Sequence, residues 1–318
     1  MVKEKPLKII DLLIIGGGPA GLTAAIYGGR AMLSTLILED AVIGGQIRNA
    51  NRVENYTGFS QITGEDFTNN MVDQVKKAGA IIDEFDEIVS VKLSGNEKVI
   101  ETTTTIYKPL TVIIASGARN RNLPIAQEPK YYGKGIHYCE LCDGYIYKGK
   151  NIIVVGGGNS AAEAAIYLSR YATNITLIHR GKGIRTEKSI QEELYNIPKI
   201  KFMWETEIIS AYGETKLEGI KVKKINTQEI IDVKTDGIFV YVGMIPQSEL
   251  FKNYIKVDEQ GYILAGETTE TNIKGVFAAG DIRKKQFRQV STAVGDGTVA
   301  SLMAEKYITQ KLKNEKGV

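Results

Sequence analysis

The hydrophobic pattern of this chain contains two strand-to-helix units that repeat one another. Near the N-terminus, the apolar run 11–15 predicts a buried strand, and the stretch Leu22 to Leu33 predicts a helix. Farther along, the run 151–155 predicts a second buried strand, and Ala162 to Tyr171 predicts a second helix. An offset of 140 residues aligns the two units, and both helices carry the sequence Ala-Ala-Ile-Tyr at the aligned place. The chain is therefore expected to contain two related α/β domains.

Each predicted strand runs into a glycine-rich loop before its helix begins. The first loop reads Gly-Gly-Gly-Pro-Ala-Gly over 16–21, and the second reads Gly-Gly-Gly-Asn-Ser-Ala over 156–161. Glycines at such a turn let the backbone approach a pyrophosphate, which rests on the helix N-terminus. A single G-x-G-x-x-G is weak evidence, but two copies in the same context predict two dinucleotide-binding units. The alternative for either copy alone is a glycine-rich turn that binds nothing.

The end of the second strand in each unit indicates which nucleotide is bound. In the first unit the strand 35–39 ends on Glu39, 18 residues after Gly21. A carboxylate there accepts hydrogen bonds from both ribose hydroxyls and repels a 2′-phosphate, which predicts FAD or NAD. In the second unit His179 takes the aligned place and is followed by Arg180 and Arg185. This basic cluster predicts NADP, the alternative being a solvated basic loop.

The remaining pattern joins the C-terminal part of the chain to the first unit. The segment 275–281 is a short apolar strand that ends in Gly280-Asp281, and flavoproteins with two dinucleotide-binding units use such an aspartate on the ribityl or phosphate region. A Gly- and Ala-rich helix is predicted over 293–307. The segments 88–105 and 220–233 alternate β-branched and charged residues, which predicts β-hairpins.

The expected fold class is therefore α/β, with two Rossmann-like dinucleotide-binding domains. The NAD(P)H domain is expected to be inserted into the FAD domain. We place the first part of the FAD domain at 1–118, the NAD(P)H domain at 119–246 and the second part of the FAD domain at 247–318.

Composition and charge are those of an ordinary globular protein. The 318 residues are 43% hydrophobic and 24% charged, and the net charge is +3. This balance predicts neither a nucleic-acid nor a membrane partner. The N-terminus has no apolar core long enough for a signal peptide, and the apolar stretch 12–27 is broken by glycines. A cytoplasmic location without a membrane span is therefore expected.

The chain contains two cysteines, Cys139 and Cys142, which form a C-x-x-C motif followed by Asp143. This spacing brings the sulfurs within bonding reach at the start of a helix, where the dipole and the first-turn amides lower a thiol pKa. The aspartate is a candidate proton donor. A structural disulfide or half of a zinc site are the competing interpretations, but zinc needs about four ligands, and only His137 and His179 remain. The pair is predicted to be redox-active, and no metal site is expected.

These motifs, taken in order, resemble those of the low-molecular-weight bacterial and archaeal thioredoxin reductases along nearly the whole chain. The C-x-x-C inside the second nucleotide unit is the specific feature, because glutathione-reductase-like enzymes carry theirs in the first unit. The matching segments are 16–21, Gly44-Gly45-Gln46, Glu54-Asn55-Tyr56, Gly58-Phe59, 139–144, 156–161, His179-Arg180, 275–281 and Arg288-Gln289.

The resemblance implies a homodimer that reduces thioredoxin or a thioredoxin-like protein. NADPH would pass a hydride to FAD, and the reduced flavin would reduce the disulfide of Cys139 and Cys142. By the same resemblance, Cys142 faces the flavin, Cys139 attacks the disulfide of thioredoxin, and Asp143 protonates a departing group. The inserted domain would rotate between the two half-reactions, and Lys134 with Tyr145-Ile146 would hold thioredoxin.

The loops and the resemblance together give two sets of cofactor-binding residues. The FAD set is Gly16, Gly18, Pro19, Ala20, Gly21, Glu39, Gly45, Gln46, Asn55, Ala115, Gly117, Gly280, Asp281, Arg288, Gln289 and Val290. The NADPH set is Gly156, Gly158, Asn159, Ser160, Ala161, His179, Arg180 and Arg185.

One departure concerns the NADPH signature, which in the family reads His-Arg-Arg, three residues and Arg. Here Gly181 replaces the second arginine, which weakens the expected preference for NADPH over NADH and leaves room for another electron donor. Three other interpretations stay open. The first is a flavin-dependent dithiol oxidase that uses oxygen, against which Arg180 and Arg185 argue. The others are a flavin-bearing redox sensor without enzymatic activity and a ferredoxin–NADP reductase relative, which lacks the cysteine pair.

Overall fold

A computed structural model describes residues 5–50, 53–94 and 97–316 of the chain. The chain forms two compact units, of which the first comprises 1–119 and 245–318 and the second comprises 120–244. The N- and C-terminal parts of the chain therefore belong to one unit, and the middle part forms the other. The binding of FAD by the first unit and of NAD(P)H by the second stays a prediction.

The α-helices of the described residues, in chain order, are α1 (Pro19–Arg30), α2 (Gly64–Lys77), α3 (Glu128–Tyr131), α4 (Glu140–Asp143), α5 (Asn159–Leu168), α6 (Lys188–Tyr195) and α7 (Val290–Lys316). Short 3-10 helices cover Gly45–Asn49, Gly144–Tyr147 and Gly280–Ile282. Within the same described ranges, no helix is both long and apolar enough to cross a membrane.

The strands of the described residues, in chain order, are β1 (Leu7–Ile15), β2 (Thr35–Glu39), β3 (Ile81–Glu84), β4 (Ile88–Lys92), β5 (Val99–Thr102), β6 (Ile106–Ile114), β7 (Ala118–Asn120), β8 (Ile136–His137), β9 (Asn151–Gly156), β10 (Asn174–Ile178), β11 (Ile200–Met203), β12 (Thr206–Tyr212), β13 (Gly219–Lys224), β14 (Ile230–Lys234), β15 (Gly237–Tyr241), β16 (Met244–Pro246) and β17 (Val276–Ala278).

The first unit is built on a sheet whose central strands are parallel. The strand order is β3-β2-β1-β6-β5-β4, and β17 pairs with the last residues of β6. Successive residues of a strand point to opposite faces. Accordingly, Leu12 and Ile14 pack into a core with residues of α1, α2 and α7, while Leu13 and Ile15 pack into a second core on the other face. Both faces are covered, which confirms the predicted buried strand.

The second unit repeats this plan around a parallel sheet of order β11-β10-β9-β15-β8. Ile152 and Val154 pack with residues of α5, and Ile153 and Val155 pack into a core that includes residues of β12 and β13. The strands β12, β13 and β14 form a separate antiparallel sheet. The predicted hairpins are confirmed, because β4 pairs antiparallel with β5 and β13 pairs antiparallel with β14.

The two helices that follow the glycine loops lie three residues N-terminal to their predicted positions, at Pro19–Arg30 and Asn159–Leu168. The reason is that Gly18 and Gly158 keep extended backbones and act as N-caps, so the loop residues after them already form the first helical turn. Proline at the first helical position also suits α1, because its missing N–H has no partner there in any helix. The amide groups that would face a pyrophosphate therefore begin inside each loop.

Candidate active site

Cys139 and Cys142 form a disulfide at the start of α4, with their Cα atoms 5.3 Å apart. Cys139 is the N-cap residue, and its Sγ accepts a hydrogen bond from the Cys142 N–H at 3.2 Å. The predicted pairing at a helix start is confirmed. Because α4 has only four residues, the support for a Cys139 thiolate comes from this first-turn amide rather than from the dipole of a long helix.

Asp143 ends α4 and lies against a histidine that the sequence analysis considered only as a zinc ligand. Asp143 Oδ2 is 3.2 Å from Nδ1 of His137, and His137 Nε2 is 2.8 Å from the Tyr147 hydroxyl. The His137 side chain is 4% exposed, whereas that of Asp143 is 36% exposed. Burial raises the pKa of Tyr147, and the carboxylates of Asp143 and Asp236 raise it further, so the hydroxyl keeps its proton. The candidate acid Asp143 thus contacts a buried imidazole, which in turn contacts a buried phenol.

Glu140, the residue after Cys139, is held from the end of β15. The Tyr241 hydroxyl donates to a carboxylate oxygen of Glu140 and accepts a hydrogen bond from the Glu140 N–H at 3.0 Å. Burial raises the pKa of Tyr241, and the Glu140 charge raises it further. The C-x-x-C turn is therefore tied to the sheet through Tyr241. The roles of His137, Tyr147 and Tyr241 were not apparent from the sequence, where the one available signal was a histidine two residues before the first cysteine.

The first glycine loop has the shape that a bound pyrophosphate requires. Gly16 has φ +104°, and a Cβ atom there would lie 2.5 Å from the Ala115 carbonyl oxygen. At Gly18 the only heavy atom near a Cβ position is Cα of Gly45, 3.9 Å away, so the space before α1 is open among the described residues. Glu39 accepts a hydrogen bond from the Gly17 N–H at 2.7 Å. The strand end and the loop therefore meet, as the fingerprint predicts.

The second loop has the same backbone shape as the first, but a histidine rather than a carboxylate lies next to it. Gly156 has φ +155°, and a Cβ atom there would lie 2.5 Å from the Tyr241 carbonyl oxygen. Around Gly158 no described heavy atom lies within 4 Å of a Cβ position. The His179 ring occupies the space over Gly157, where a Cβ atom would overlap it. His179 therefore lies against the middle glycine of the second loop, just as Glu39 lies against the middle glycine of the first.

The positive charge at this end of the second unit comes from arginine rather than from His179. Burial lowers the pKa of His179, and Arg185 and Arg180 lower it further, so the imidazole is neutral at neutral pH. The backbone of Arg185 is tied to the loop, because its main-chain N–H donates to the Gly157 carbonyl at 2.8 Å. Arg180 follows the end of β10 and is exposed. The charges of Arg185 and Arg180 act on His179, whose ring lies over the loop, and two such cations fit a 2′-phosphate.

Asp281 presents a buried acceptor in the first unit. Its Oδ1 receives no hydrogen bond from the described residues and lies 3.5 Å from Nζ of Lys285. Burial raises the pKa of Asp281, although Lys285 and Arg288 act against this. A buried carboxylate oxygen that accepts no hydrogen bond from the described residues and has a lysine as its ion-pair partner fits a hydroxyl of a ribityl chain.

The turn before Asp281 is held by a residue that the sequence analysis missed. Asp296 of α7 accepts a hydrogen bond from the Gly280 N–H at 3.0 Å and pairs with Arg283. An aspartate in the Gly- and Ala-rich part of a helix was the available signal. The contact fixes the conformation of the segment that presents Asp281.

The remaining members of the FAD set also lie in the first unit. Gln46 Nε2 donates to the Ala118 carbonyl, and Asn55 Nδ2 donates to Gln289 Oε1 at 3.3 Å. The Arg288 guanidinium lies 4.1 Å from the ring centroid of Tyr262. These residues belong to the same unit as the first loop. The second unit contains the complete NADPH set together with both cysteines.

Apolar side chains are exposed on and near the C-x-x-C segment. Leu141 is 41% exposed, Tyr145 39% and Ile146 38%. Lys134 is also exposed. Exposed apolar groups next to a reactive disulfide suit the docking of another protein.

A family model described as pyridine nucleotide-disulphide oxidoreductase matches residues 10–297 of the chain. The chain is 52% identical over 307 residues to the "34.2 kDa protein in rubredoxin operon" of Clostridium pasteurianum, which covers 96% of this chain and 100% of that protein. It is 41% identical over 305 residues to the thioredoxin reductase of Bacillus subtilis, covering 95% of this chain and 96% of the relative.

A solved structure gives the same result. The crystal structure of thioredoxin reductase from Streptococcus pyogenes superposes with a TM-score of 0.91 at 35% sequence identity, covering 95% of this chain and 99% of that one. The fold with two nucleotide-binding units and the sequence motifs therefore agree with the same group of proteins.

Proposed function

Because the chain belongs to the pyridine nucleotide-disulphide oxidoreductase family, we propose that it is a thioredoxin-disulfide reductase. It is a flavoprotein oxidoreductase, similar over nearly its whole length to thioredoxin reductases of several bacteria. The observation that carries the proposal is the disulfide of Cys139 and Cys142, formed at the N-cap of α4 in the unit that also contains the second glycine loop.

The cysteines carry out the exchange with the partner protein. The Cys139 thiolate, supported by the Cys142 N–H, attacks one sulfur of the thioredoxin disulfide and forms a mixed disulfide, while the other sulfur leaves as a thiolate. Asp143 gives a proton to the leaving thiolate and becomes a carboxylate. The Cys142 thiolate then attacks Cys139, which restores the enzyme disulfide and expels the second partner sulfur as a thiolate, and this thiolate takes a proton from solvent to give the partner dithiol. Two electrons have passed from the enzyme to thioredoxin.

The first unit supports the binding of FAD, and the second that of NADPH. The open space at Gly18 and the carboxylate of Glu39 match a pyrophosphate and a ribose, and the Asp281 oxygen that accepts no hydrogen bond from the described residues matches a ribityl chain. The open space at Gly158 and the nearby Arg185 match a second pyrophosphate and a 2′-phosphate. When bound, FAD supplies the two-electron carrier between NADPH and the disulfide.

The family resemblance supports thioredoxin or a thioredoxin-like protein as partner, docked on Lys134, Tyr145 and Ile146. It likewise supports a homodimer and a cytoplasmic location, where a reducing environment suits a disulfide that is made and broken in each turnover.

A second electron donor is worth testing beside NADPH, because Gly181 replaces an arginine of the family signature. The name of the Clostridium pasteurianum relative places it in a rubredoxin operon. Reduced rubredoxin is the alternative donor that we test, with the same disulfide chemistry on the partner side.

The deciding experiment follows the reduction of oxidised thioredoxin by the purified, FAD-loaded protein with NADPH, NADH or reduced rubredoxin as the donor. Thioredoxin-dependent reduction of insulin measures turnover, and a Cys139→Ser variant is the control. Turnover with NADPH that requires Cys139 supports the proposal. If reduced rubredoxin supports turnover and neither NADPH nor NADH does, rubredoxin takes the place of NADPH as the proposed donor. If thioredoxin is reduced with none of the three donors, the proposed function is refuted.

A further inference from the structure

We propose that His137 is the positioning residue for Asp143. Its imidazole holds the Asp143 carboxyl group through Nδ1 and stabilises the carboxylate that forms when Asp143 has given its proton to the departing thiolate. The inference rests on the proposed function, because it concerns the acid of the thiol–disulfide exchange.

The contacts of His137 account for both ring nitrogens. Nδ1 is 3.2 Å from Asp143 Oδ2, and Nε2 is 2.8 Å from the Tyr147 hydroxyl. A neutral imidazole has one donor and one acceptor nitrogen. Because Asp143 as a carboxylate can only accept, Nδ1 must carry the hydrogen, and Nε2 accepts from Tyr147. The arrangement therefore selects a single tautomer.

Packing keeps the imidazole in this orientation. The His137 ring stacks on Phe239 with centroids 5.4 Å apart and an interplanar angle of 27°, and it meets the Tyr147 ring edge-on. His137 belongs to β8, which pairs with β15 through Ile136 and His137. Asp143, in contrast, lies at the end of a one-turn helix that carries the reactive cysteines. A fixed ring on the sheet is thus the support for a carboxyl group on a small, partly exposed element.

The hydrogen bond from Nδ1 serves both protonation states of Asp143. In the acid, Oδ1 carries the proton and Oδ2 accepts from Nδ1–H. After Oδ1 has given its proton to the thiolate, Oδ2 accepts the same hydrogen bond as part of a carboxylate. The products are a thiol and a carboxylate, and solvent returns the proton to Asp143. Since a charged acceptor makes the stronger hydrogen bond, His137 favours the delivery of the proton.

The surrounding titratable groups preserve this arrangement. Tyr147 faces Asp143 and Asp236, and the Nζ atom of Lys150 lies 5.2 Å from its ring centroid. The Asp143 charge also acts on Tyr132 and Tyr241, where desolvation and then neighbouring carboxylates raise the pKa of the phenol. All three tyrosines therefore stay protonated at neutral pH, and Tyr147 remains able to donate to His137.

Two amide substitutions separate positioning from packing. An asparagine amide nitrogen can take the place of Nδ1, and a glutamine amide nitrogen takes the place of Nε2. We expect His137→Asn to keep kcat/KM for thioredoxin within about threefold of wild type, because the donor to Asp143 is retained. His137→Gln should lower it about tenfold, because that donor is lost. The thermal midpoints of the two variants serve as the folding control.

Removing the Asp143 carboxyl group tests whether the effect of His137 depends on Asp143. In the Asp143→Ala background the difference between His137→Asn and His137→Gln should disappear, because no carboxylate is left to hold. Equal activities of the two single variants, or a difference that persists without Asp143, would overturn the proposal and leave His137 as a packing residue.

A spectroscopic measurement decides the geometry without thioredoxin. The chain has two histidines, so ¹⁵N NMR of imidazole nitrogens in the FAD-loaded protein gives two sets of signals, and a His179→Gln variant assigns them. His137 should show the Nδ1–H tautomer alone, and Asp143→Ala should produce a mixture of tautomers. A His137 spectrum unchanged by Asp143→Ala refutes the inference. Failure of the wild-type protein to reduce thioredoxin refutes the proposed function instead.

Discussion

Replacing Gly158 or Gly18 by alanine should separate cofactor binding from folding. Gly158 has φ −114° and ψ −173°, and Gly18 has φ −73° and ψ −178°, which are extended conformations that alanine adopts without strain. A Cβ atom at Gly158 would meet no described heavy atom within 4 Å, and one at Gly18 would only reach Gly45 Cα at 3.9 Å. In the protein without cofactors, neither methyl group would displace a heavy atom of the described residues.

The two effects of each substitution should have opposite signs. Alanine restricts the unfolded chain, so the free energy of unfolding should rise by about 0.4–1 kcal/mol. The same methyl group fills the space before the helix and keeps a pyrophosphate from the first-turn amides. Loss of one charge-assisted hydrogen bond costs about 1.5–3 kcal/mol, which corresponds to about 10- to 100-fold in affinity.

Each loop is the control for the other. Gly158→Ala should raise KM for NADPH about 10- to 100-fold with unchanged FAD content. Gly18→Ala should lower the affinity for FAD by a similar factor, measured by titration of the apoprotein, while calorimetric NADPH binding stays as in wild type. The reasoning is refuted if Gly158→Ala leaves NADPH affinity unchanged, or if both variants affect the same cofactor. A lower thermal midpoint in the apoproteins would show that the space is not open.

Three further predictions address the chemistry, the donor and the stability of the protein. Cys142→Ser should abolish reduction of thioredoxin in the insulin assay but leave flavin reduction by NADPH, followed by stopped-flow bleaching, largely intact; equal loss of both would contradict the separate roles. Arg185→Ala should lower the ratio of kcat/KM for NADPH over NADH about tenfold, and an unchanged ratio would mean that 179–185 is a solvated loop. Burial raises the pKa of Asp86, but hydrogen bonds from Thr102, Thr103 and Thr104 outweigh this and lower it overall. The ionised carboxylate therefore stabilises the fold above about pH 4 and loses this effect as the pH falls through the lowered pKa. Asp86→Asn should lower the free energy of unfolding by about 2 kcal/mol at pH 7. The difference in urea midpoint between wild type and variant should shrink in acid, and a difference that stays constant with pH would contradict this account.

The fold class followed from the sequence because the decisive signals are local. A glycine loop between an apolar strand and a helix is a feature of one continuous segment, 11–33 in the first copy and 151–171 in the second, and its repetition indicated two nucleotide-binding units. The disulfide also followed from local spacing, because cysteines three residues apart lie on one helical turn. The helix boundaries were wrong by three residues, since the sequence pattern does not show that Gly18 and Gly158 already cap their helices.

The support for the chemistry came only from the tertiary structure. His137, Asp143 and Tyr147 lie within ten residues of one another, yet they belong to a strand, a one-turn helix and a 3-10 helix whose mutual orientation no local pattern specifies. The contact of Asp296 with Gly280 depends on how α7 packs on the strand end. Sequence periodicity determines which face of an element is buried, whereas the meeting of particular polar atoms depends on the register and packing of separate elements. The sequence by itself therefore determined the reactive groups and their class of reaction, and the fold decided which side chains hold them in place.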